Sequence, residues 1–433
     1  MTAGTASRTI GSAGSAGNAG SAGSADDAAA TQERPALARL VGDVETFAAE
    51  VWSRRPLLRT GAEALAEDGR DFTDLFGPDA VDEMVSRRGL RAPFLRLAKD
   101  GSPLPDSLFT TAGGVGASVR DQVGDDQLHR EFAGGATIVA QGLHRTWPAL
   151  VDLGQQLAVD LGHPVQINAY ITPPQSQGFA DHYDVHDVFV VQTSGRKRWV
   201  LHAPVLEAPL RHHPWAERRS QVEEAARTEP VLDVTLEPGD VLYLPRGTIH
   251  AASTFGEISS HVTIGVHTWT PYAAAEVIGE LALDRAASDP DVRRSLDLGV
   301  DISTDTSGFA VARAALVRAI EELDDASISR ALTRRDEAGR RLSPISPIAQ
   351  VQAVLDLGDA TRLRLRPHLR VTVSPVPADD EQLMLDSRLG LQRIPAAGRP
   401  ALDILLDGGE TTAAELGQEA ARTLLRAGVL VPA

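Results

Sequence analysis

The chain has no cysteine among its 433 residues. That excludes disulfides, thiolate-ligated zinc, iron–sulfur clusters and thiol nucleophiles together. It also fits a reducing compartment, so a cytoplasmic location is the expectation. Lysine is almost missing too: of 42 basic residues only Lys99 and Lys197 are lysine, and the rest are arginine. Where such a bias has replaced lysine nearly everywhere, a retained lysine points to a local need. No apolar run reaches the length of a membrane span. The first thirty residues are Ala/Gly/Ser repeats from Gly11-Ser12-Ala13-Gly14 onward and lack the continuous apolar core of a signal peptide. Residues 1–33 read as a disordered tail. Positive charge is in short supply, with a formal net charge of -17. Direct nucleic-acid binding needs a dense cationic surface and is not expected. An acidic surface suits a basic protein partner, whose approach it can steer.

What is present is a pattern of histidines and one carboxylate. Ala180-Asp181-His182-Tyr183-Asp184 is followed by an isolated His250 in Leu244-Pro245-Arg246-Gly247-Thr248-Ile249-His250. Two histidines and one carboxylate are the ligand set of non-haem Fe(II) sites, which hold one face of the iron and leave the other open. His182 and Asp184 are two apart, so on a strand both project to the same face, and His250 has to come from a second strand. His186 continues that face, which leaves Asp184 and His186 as a rival pair on spacing alone. His261 and His267 are expected to pack rather than ligate, and His202, His212 and His213 to lie in solvent. Trp199 and Phe189 read as core.

The length suggests several domains. Val44–Arg55 reads as a short helix ended by Pro56, and Trp147–Leu161 as a longer one with Leu150, Leu153, Leu157 and Leu161 at helical spacing. From Phe94 to Val266 short β-rich runs alternate with turns such as Thr193-Ser194-Gly195 and Glu237-Pro238-Gly239-Asp240. Many short strands at this spacing indicate a sandwich or barrel, with the double-stranded β-helix (cupin jelly roll) among the standard solutions. The expected fold class is therefore mainly β with α. Residues 34–270 form the cupin domain. Residues 271–360 read as a helical domain whose apolar faces suit dimerisation and packing against the cupin barrel equally. In residues 361–433, Leu363–Val373 alternates like one strand, Pro400–Leu406 and Thr412–Arg426 look helical, and a last short strand gives a winged-helix-like order. Asp407, Glu410, Glu415 and Glu419 make that module acidic, favouring protein contact over DNA.

Over most of residues 40–270 the sequence resembles the JmjC-type, cupin-fold 2-oxoglutarate oxygenases that hydroxylate ribosomal proteins. The resemblance is carried by Asn168-Ala169-Tyr170-Ile171-Thr172-Pro173-Pro174, Ser176-Gln177-Gly178-Phe179, His182-Tyr183-Asp184, Asp187-Val188-Phe189, Gly195-Arg196-Lys197-Arg198-Trp199 and Leu244-Pro245-Arg246-Gly247 with Ile249-His250. It implies His182, Asp184 and His250 as Fe(II) ligands, selecting His182 over His186. It implies Lys197 as the cation for the 5-carboxylate of 2-oxoglutarate, and Asn168 and Tyr170 as polar residues lining the cosubstrate pocket. The activity implied is a dioxygenase reaction that uses molecular oxygen to hydroxylate a side chain of a protein, with a basic ribosomal protein as partner and a homodimer as the assembly. The same chemistry on a small molecule or modified peptide, and a non-catalytic metal-binding cupin scaffold, are the alternatives; histone demethylation ranks lower. One position departs from the pattern. Several members carry Ser after the S-x-H-x-T segment, near the cosubstrate, whereas Ser259-Ser260-His261-Val262-Thr263-Ile264 is followed here by Gly265.

Overall fold

The computed structural model describes residues 8–11, 33–69, 72–99, 101–174, 176, 180–377 and 379–433. The chain divides into two compact units, Glu33–Thr268, and Trp269–Ala433 with the N-terminal segment. Among the described residues no helix is long and apolar enough to cross a membrane.

The unit Glu33–Thr268 is built on two antiparallel sheets. The larger has eight strands in the order Leu57–Arg59, Val241–Leu244, Asp187–Ser194, Ser259–Val266, Val165–Thr172, Thr137–Ala140, Leu95–Lys99 and Ser102–Pro103. The smaller has Lys197–His202 between Leu232–Leu236 and Ile249–Thr254. Together they make the cupin double-stranded β-helix expected from the strand-and-turn rhythm. Alternation along the strands decides what each face meets. Ile167, Ala169 and Ile171 from one strand, and Val262, Ile264 and Val266 from its neighbour, join Leu150, Leu153 and Leu157 of the helix Pro148–Leu161 in one core. The intervening positions Gln166, Asn168, Tyr170, His261, Thr263 and Gly265 face the opposite side and line a cavity between the sheets. Asp187–Ser194 is apolar on both faces because both are covered: Phe189 and Val191 join the helix-side core, Val188 and Val190 pack with Trp199, Leu201 and Leu244 between the sheets.

The helix Pro148–Leu161 is bounded as its sequence dictates, by Pro148 in the first turn and Gly162 in the left-handed conformation at its end, φ 70°. The expected helix over Val44–Arg55 is instead one turn, Val44–Thr46, running into a π-turn Phe47–Val51. That wider turn still buries Phe47 and Val51 in the core.

The second unit has helices Pro271–Ala286, Ser307–Glu321, Asp325–Gly339 and Pro347–Leu355, followed by two small sheets. Of the tail read over residues 1–33, the segment Arg8–Gly11 is a strand that pairs with Arg370–Val376, Arg8 opposite Val373. Residues 1–7 and 12–32 of that tail lie outside the described residues. The single strand expected over Leu363–Val373 is two, Arg362–Leu365 and Arg370–Val376. Pro367 interrupts it, and His368 takes a left-handed conformation at φ 63°. Two strands that periodicity did not reveal, Asp379–Ser387 and Gly390–Pro395, complete the sheet with Arg370–Val376. Their charged residues Asp379, Asp380, Glu381 and Arg393 hide the alternation of Leu383, Leu385 and Ile394. The helix expected over Thr412–Arg426 is two helices, Ala413–Leu416 and Gln418–Arg426, separated by Gly417 at φ 92°.

Candidate metal centre

His182 and Asp184 do not sit on a regular strand, so strand alternation is not what brings them together. They lie on the loop before Asp187–Ser194. His182 alone makes a strand-like bridge: its N–H donates to His250 O at 3.2 Å, and His250 N–H donates to His182 O at 2.8 Å. Beyond the bridge the backbone is claimed differently, because the Asp184 carbonyl accepts the Gly247 N–H at 3.0 Å. This double attachment holds the loop against the turn that leads into Ile249–Thr254, and it delivers His250 to the other two side chains.

The donor atoms of His182, Asp184 and His250 all lie within 4.8 Å of one another. His250 Nε2 is 3.9 Å from Asp184 Oδ2, and the two imidazole centroids are 4.4 Å apart. Both rings are oriented by the backbone. His182 Nδ1 is 2.7 Å from Ala180 O and His250 Nδ1 is 3.0 Å from Thr248 O. A carbonyl can only accept, so in each ring Nδ1 carries the hydrogen and donates. That makes Nε2 of both histidines the ligand atom beside a carboxylate, which is how a divalent metal is ordinarily held.

Protonation states agree with that use. Burial, then the charge of His182, push the His250 imidazole down to about 4, so it is neutral near pH 7. For Asp184 burial works against the charged form. Its neighbours His186, His250 and His182 together outweigh it and hold the carboxyl below its ordinary range. The neutral His250 imidazole and the ionised Asp184 carboxylate need lose no further proton to bind a metal. The residues present therefore fit Fe(II).

Asp187 fixes this arrangement, and sequence reading gave it no such role. Its side chain is fully buried. Oδ2 accepts hydrogen bonds from Tyr243 Oη at 2.6 Å and from Ser53 Oγ at 3.0 Å, while Oδ1 accepts the Arg246 N–H at 3.0 Å. One carboxylate thus ties the loop carrying His182 and Asp184 to the turn preceding His250.

The triad opens onto a cavity of about 190 Å³. Lys197, Asn168 and Tyr170 all line it, as do His186 and His261. Lys197 is buried and donates to Thr172 Oγ1 at 3.0 Å; among the described residues it has no carboxylate partner. Burial pushes its ammonium down to about 7. Asn168 Oδ1 accepts the Gly142 N–H at 3.0 Å, which fixes its amide against the wall. The Tyr170 ring stacks on His261 with centroids 5.1 Å apart and planes 4° from parallel. Burial drives the Tyr170 hydroxyl above its ordinary range and the His261 imidazole well below its own.

The remaining histidines divide. His261 packs as expected, and His267 meets His186 edge to face at 5.2 Å. His202 is buried at the end of Lys197–His202, not in solvent, because that strand is covered between its two neighbours. Trp199 is core as expected, but it also borders the cavity and stands 5.9 Å from the His250 ring.

Comparison with known proteins agrees with this geometry. Residues 151–274 match the JmjC domain family. The bovine protein "Ribosomal oxygenase 2" is 32% identical over 278 residues, which cover 59% of this chain and 57% of that protein. A Drosophila mojavensis protein named as a bifunctional lysine-specific demethylase and histidyl-hydroxylase NO66 is 41% identical over 259 residues, covering 59% of this chain and 27% of that one. The chain thus spans little more than half, or less, of these relatives. The Escherichia coli ribosomal oxygenase YcfD, solved in complex with cobalt and 2-oxoglutarate, aligns over 89% of this chain and 97% of its own, with a TM-score of 0.51 at 17% identity. Residues 151–274 thus resemble the JmjC domain family, and the chain shares the fold of the ribosomal oxygenase YcfD.

Proposed function

We propose that the chain is an Fe(II)- and 2-oxoglutarate-dependent oxygenase that hydroxylates a side chain of a protein, a basic ribosomal protein being the partner. The observation that carries the reading is one cavity holding two unlike features. One is the clustered His182, Asp184 and His250, with a neutral His250 beside the ionised Asp184. The other is Lys197, a buried cation with no carboxylate partner among the described residues. A metal-binding scaffold has no use for the second, since a buried unpaired ammonium costs stability. A dicarboxylate cosubstrate needs it.

His182, Asp184 and His250 would hold the metal on one face. Fe(II) bound there supplies oxygen activation coupled to the decarboxylation of 2-oxoglutarate to succinate. Lys197 would receive the 5-carboxylate of the cosubstrate, with the Thr172 hydroxyl at its side, and the charge pair would be strengthened by the burial of Lys197. Asn168 and Tyr170, both fixed by partners in the wall, shape the space between. Val188, Trp199 and Leu244 give this space an apolar wall.

The net charge of -17 favours a basic partner over nucleic acid. We read the helical part of the second unit, with Leu283, Phe309, Val317 and Ile320 exposed, as a homodimerisation surface. The order helix, strand, helix, helix, strand over residues 399–432 we read as a winged-helix-like protein-contact module, and the setting as cytoplasmic. The test is direct. The purified chain is supplied with Fe(II), 2-oxoglutarate, oxygen and ribosomal proteins stripped of RNA. Succinate formation together with a mass gain of one oxygen on a ribosomal protein is expected, and the absence of both contradicts the reading.

A further inference from the structure

One short segment near the start of the unit Glu33–Thr268 is organised around Tyr243. The Phe47 ring meets the phenol edge to face with centroids 5.0 Å apart, and the Trp52 indole stacks on it at 5.9 Å. Trp52 also stacks on the His163 ring, at 5.6 Å and 10° from parallel. Ser53 then takes the hydroxyl. Its N–H donates to Tyr243 Oη at 2.9 Å, and its Oγ donates to Asp187 Oδ2 at 3.0 Å. Tyr243 Oη donates to that same carboxylate oxygen at 2.6 Å. The three bonds close a ring, in which the Ser53 N–H fills an acceptor position of the phenol oxygen and turns its single hydrogen toward Asp187.

The backbone that delivers Ser53 is unusual twice over. Phe47–Val51 is a π-turn, closed by the Trp52 N–H donating to Phe47 O at 2.8 Å. Such turns are rare and recur at functional sites. Arg54 donates to the Ala48 and Ala49 carbonyls, at 3.3 Å and 2.6 Å, and so caps the turn. Ser53 itself is left-handed at φ 55°. Glycine takes that conformation freely, whereas a residue with a Cβ takes it at a cost. Strain of this kind persists where surrounding contacts over-determine it. What serine has here and glycine lacks is the hydroxyl on Asp187.

Ser53 is exposed, while the carboxylate it holds is fully buried. The terminal torsion of an aspartate is soft, so its donors decide how the carboxylate is turned. Without the Ser53 hydroxyl, Oδ2 keeps Tyr243 alone, and Oδ1 keeps the Arg246 N–H at 3.0 Å with the Arg246 guanidinium at 3.6 Å. Neither Ser53 nor Asp187 lines the cavity. An exposed hydroxyl therefore bears on the triad through Asp187, which follows Asp184 by three residues and is bonded to the turn before His250.

We propose that Ser53 is a positioning residue for the metal centre. From an exposed turn it fixes the Asp187 carboxylate, and through it the loop of His182 and Asp184 and the turn before His250. The proposal rests on the metal triad of the oxygenase reading, and the experiment separates the two. The full chain, Ser53→Gly, Asp187→Asn and the double variant are titrated with Co(II) alone, and the visible absorption of the bound ion is recorded. Ser53→Gly accepts the left-handed backbone and keeps the N–H donor to Tyr243. Its thermal unfolding midpoint without metal is expected to match the wild type, while Co(II) affinity falls by about tenfold or more and the absorption spectrum changes. In the Asp187→Asn background the same substitution is expected to change the affinity no further. Val51→Ala, which removes a buried side chain of the same segment without touching these hydrogen bonds, is expected to lower the midpoint and leave Co(II) affinity unchanged. Where the glycine loosens the turn and lowers the midpoint, Ser53→Ala keeps the Cβ and carries the same expectation. Wild-type Co(II) affinity in folded Ser53→Gly and Ser53→Ala, or a full loss repeated in the Asp187→Asn background, overturns the proposal and leaves the oxygenase reading standing. A wild type that shows the expected Co(II) pattern yet forms no succinate with Fe(II) overturns the oxygenase reading and upholds the role of Ser53. No Co(II) binding by the wild type overturns both.

Discussion

Asp187 Oδ1 accepts the backbone N–H of Arg246 at 3.0 Å from a fully buried position. This bond joins the two segments that carry the triad, because Asp187 follows Asp184 by three residues and Arg246 precedes His250 by four. The Tyr243 and Ser53 hydroxyls saturate the other oxygen. Asp187→Ala is expected to leave a buried N–H and the Tyr243 hydroxyl without an acceptor, at about 1–3 kcal/mol each. Loss of such supporting contacts is also expected to weaken Co(II) binding by about 10–100-fold. Denaturant unfolding and a Co(II) titration check both; unchanged metal affinity in a destabilised protein would confine Asp187 to the fold.

Lys197→Met keeps the stem of the side chain and removes a buried charge. Without cosubstrate the variant is expected to be as stable as the wild type or more so, since no anion compensates the ammonium there. With 2-oxoglutarate the wild type gains stability and the variant does not. Thermal unfolding with and without 2-oxoglutarate measures this. A variant stabilised by 2-oxoglutarate as much as the wild type would move the 5-carboxylate elsewhere.

The same lysine sets a pH dependence. Its pKa is about 7 in the folded chain, lowered by burial, against about 10.4 when unfolded. Between these values the unfolded chain binds a proton that the native one does not, so this contribution to stability rises with pH from about 7 to 10.4. Below 7 both states are protonated and the burial penalty is present in full. An arriving carboxylate favours the ammonium and raises its pKa. Binding of 2-oxoglutarate to the Co(II)-loaded protein is therefore expected to take up a proton at pH 8 and to weaken at higher pH. Calorimetry in buffers of different ionisation enthalpy reads the uptake; proton release would contradict the assignment.

How far the sequence could be read follows from where each signal resides. Residue type suggested a two-histidine, one-carboxylate set, but spacing alone left His186 a rival to His182. The family resemblance chose between them and gave Lys197 its role, and the structure brings His182, Asp184 and His250 together. The cupin strands were legible because their alternation and turns are local. The backbone bridge between His182 and His250 was not, since it joins residues far apart in the chain. Asp187 reads as one more strand-edge acid until the turn at Arg246 closes over it. Gly265 reads as a missing contact, and its reason is the His186 ring in another segment. The strands Asp379–Ser387 and Gly390–Pro395 escaped because exposed charges interrupt their apolar pattern.

The central claim is that His182, Asp184 and His250 hold a metal that chelates 2-oxoglutarate reaching back to Lys197. The most direct measurement is a visible absorption titration of the anaerobic protein with Fe(II) and then 2-oxoglutarate. A charge-transfer band is predicted that needs both additions and is absent in Asp184→Ala. Bound iron with no such band, or a band that survives in Asp184→Ala, would contradict the claim.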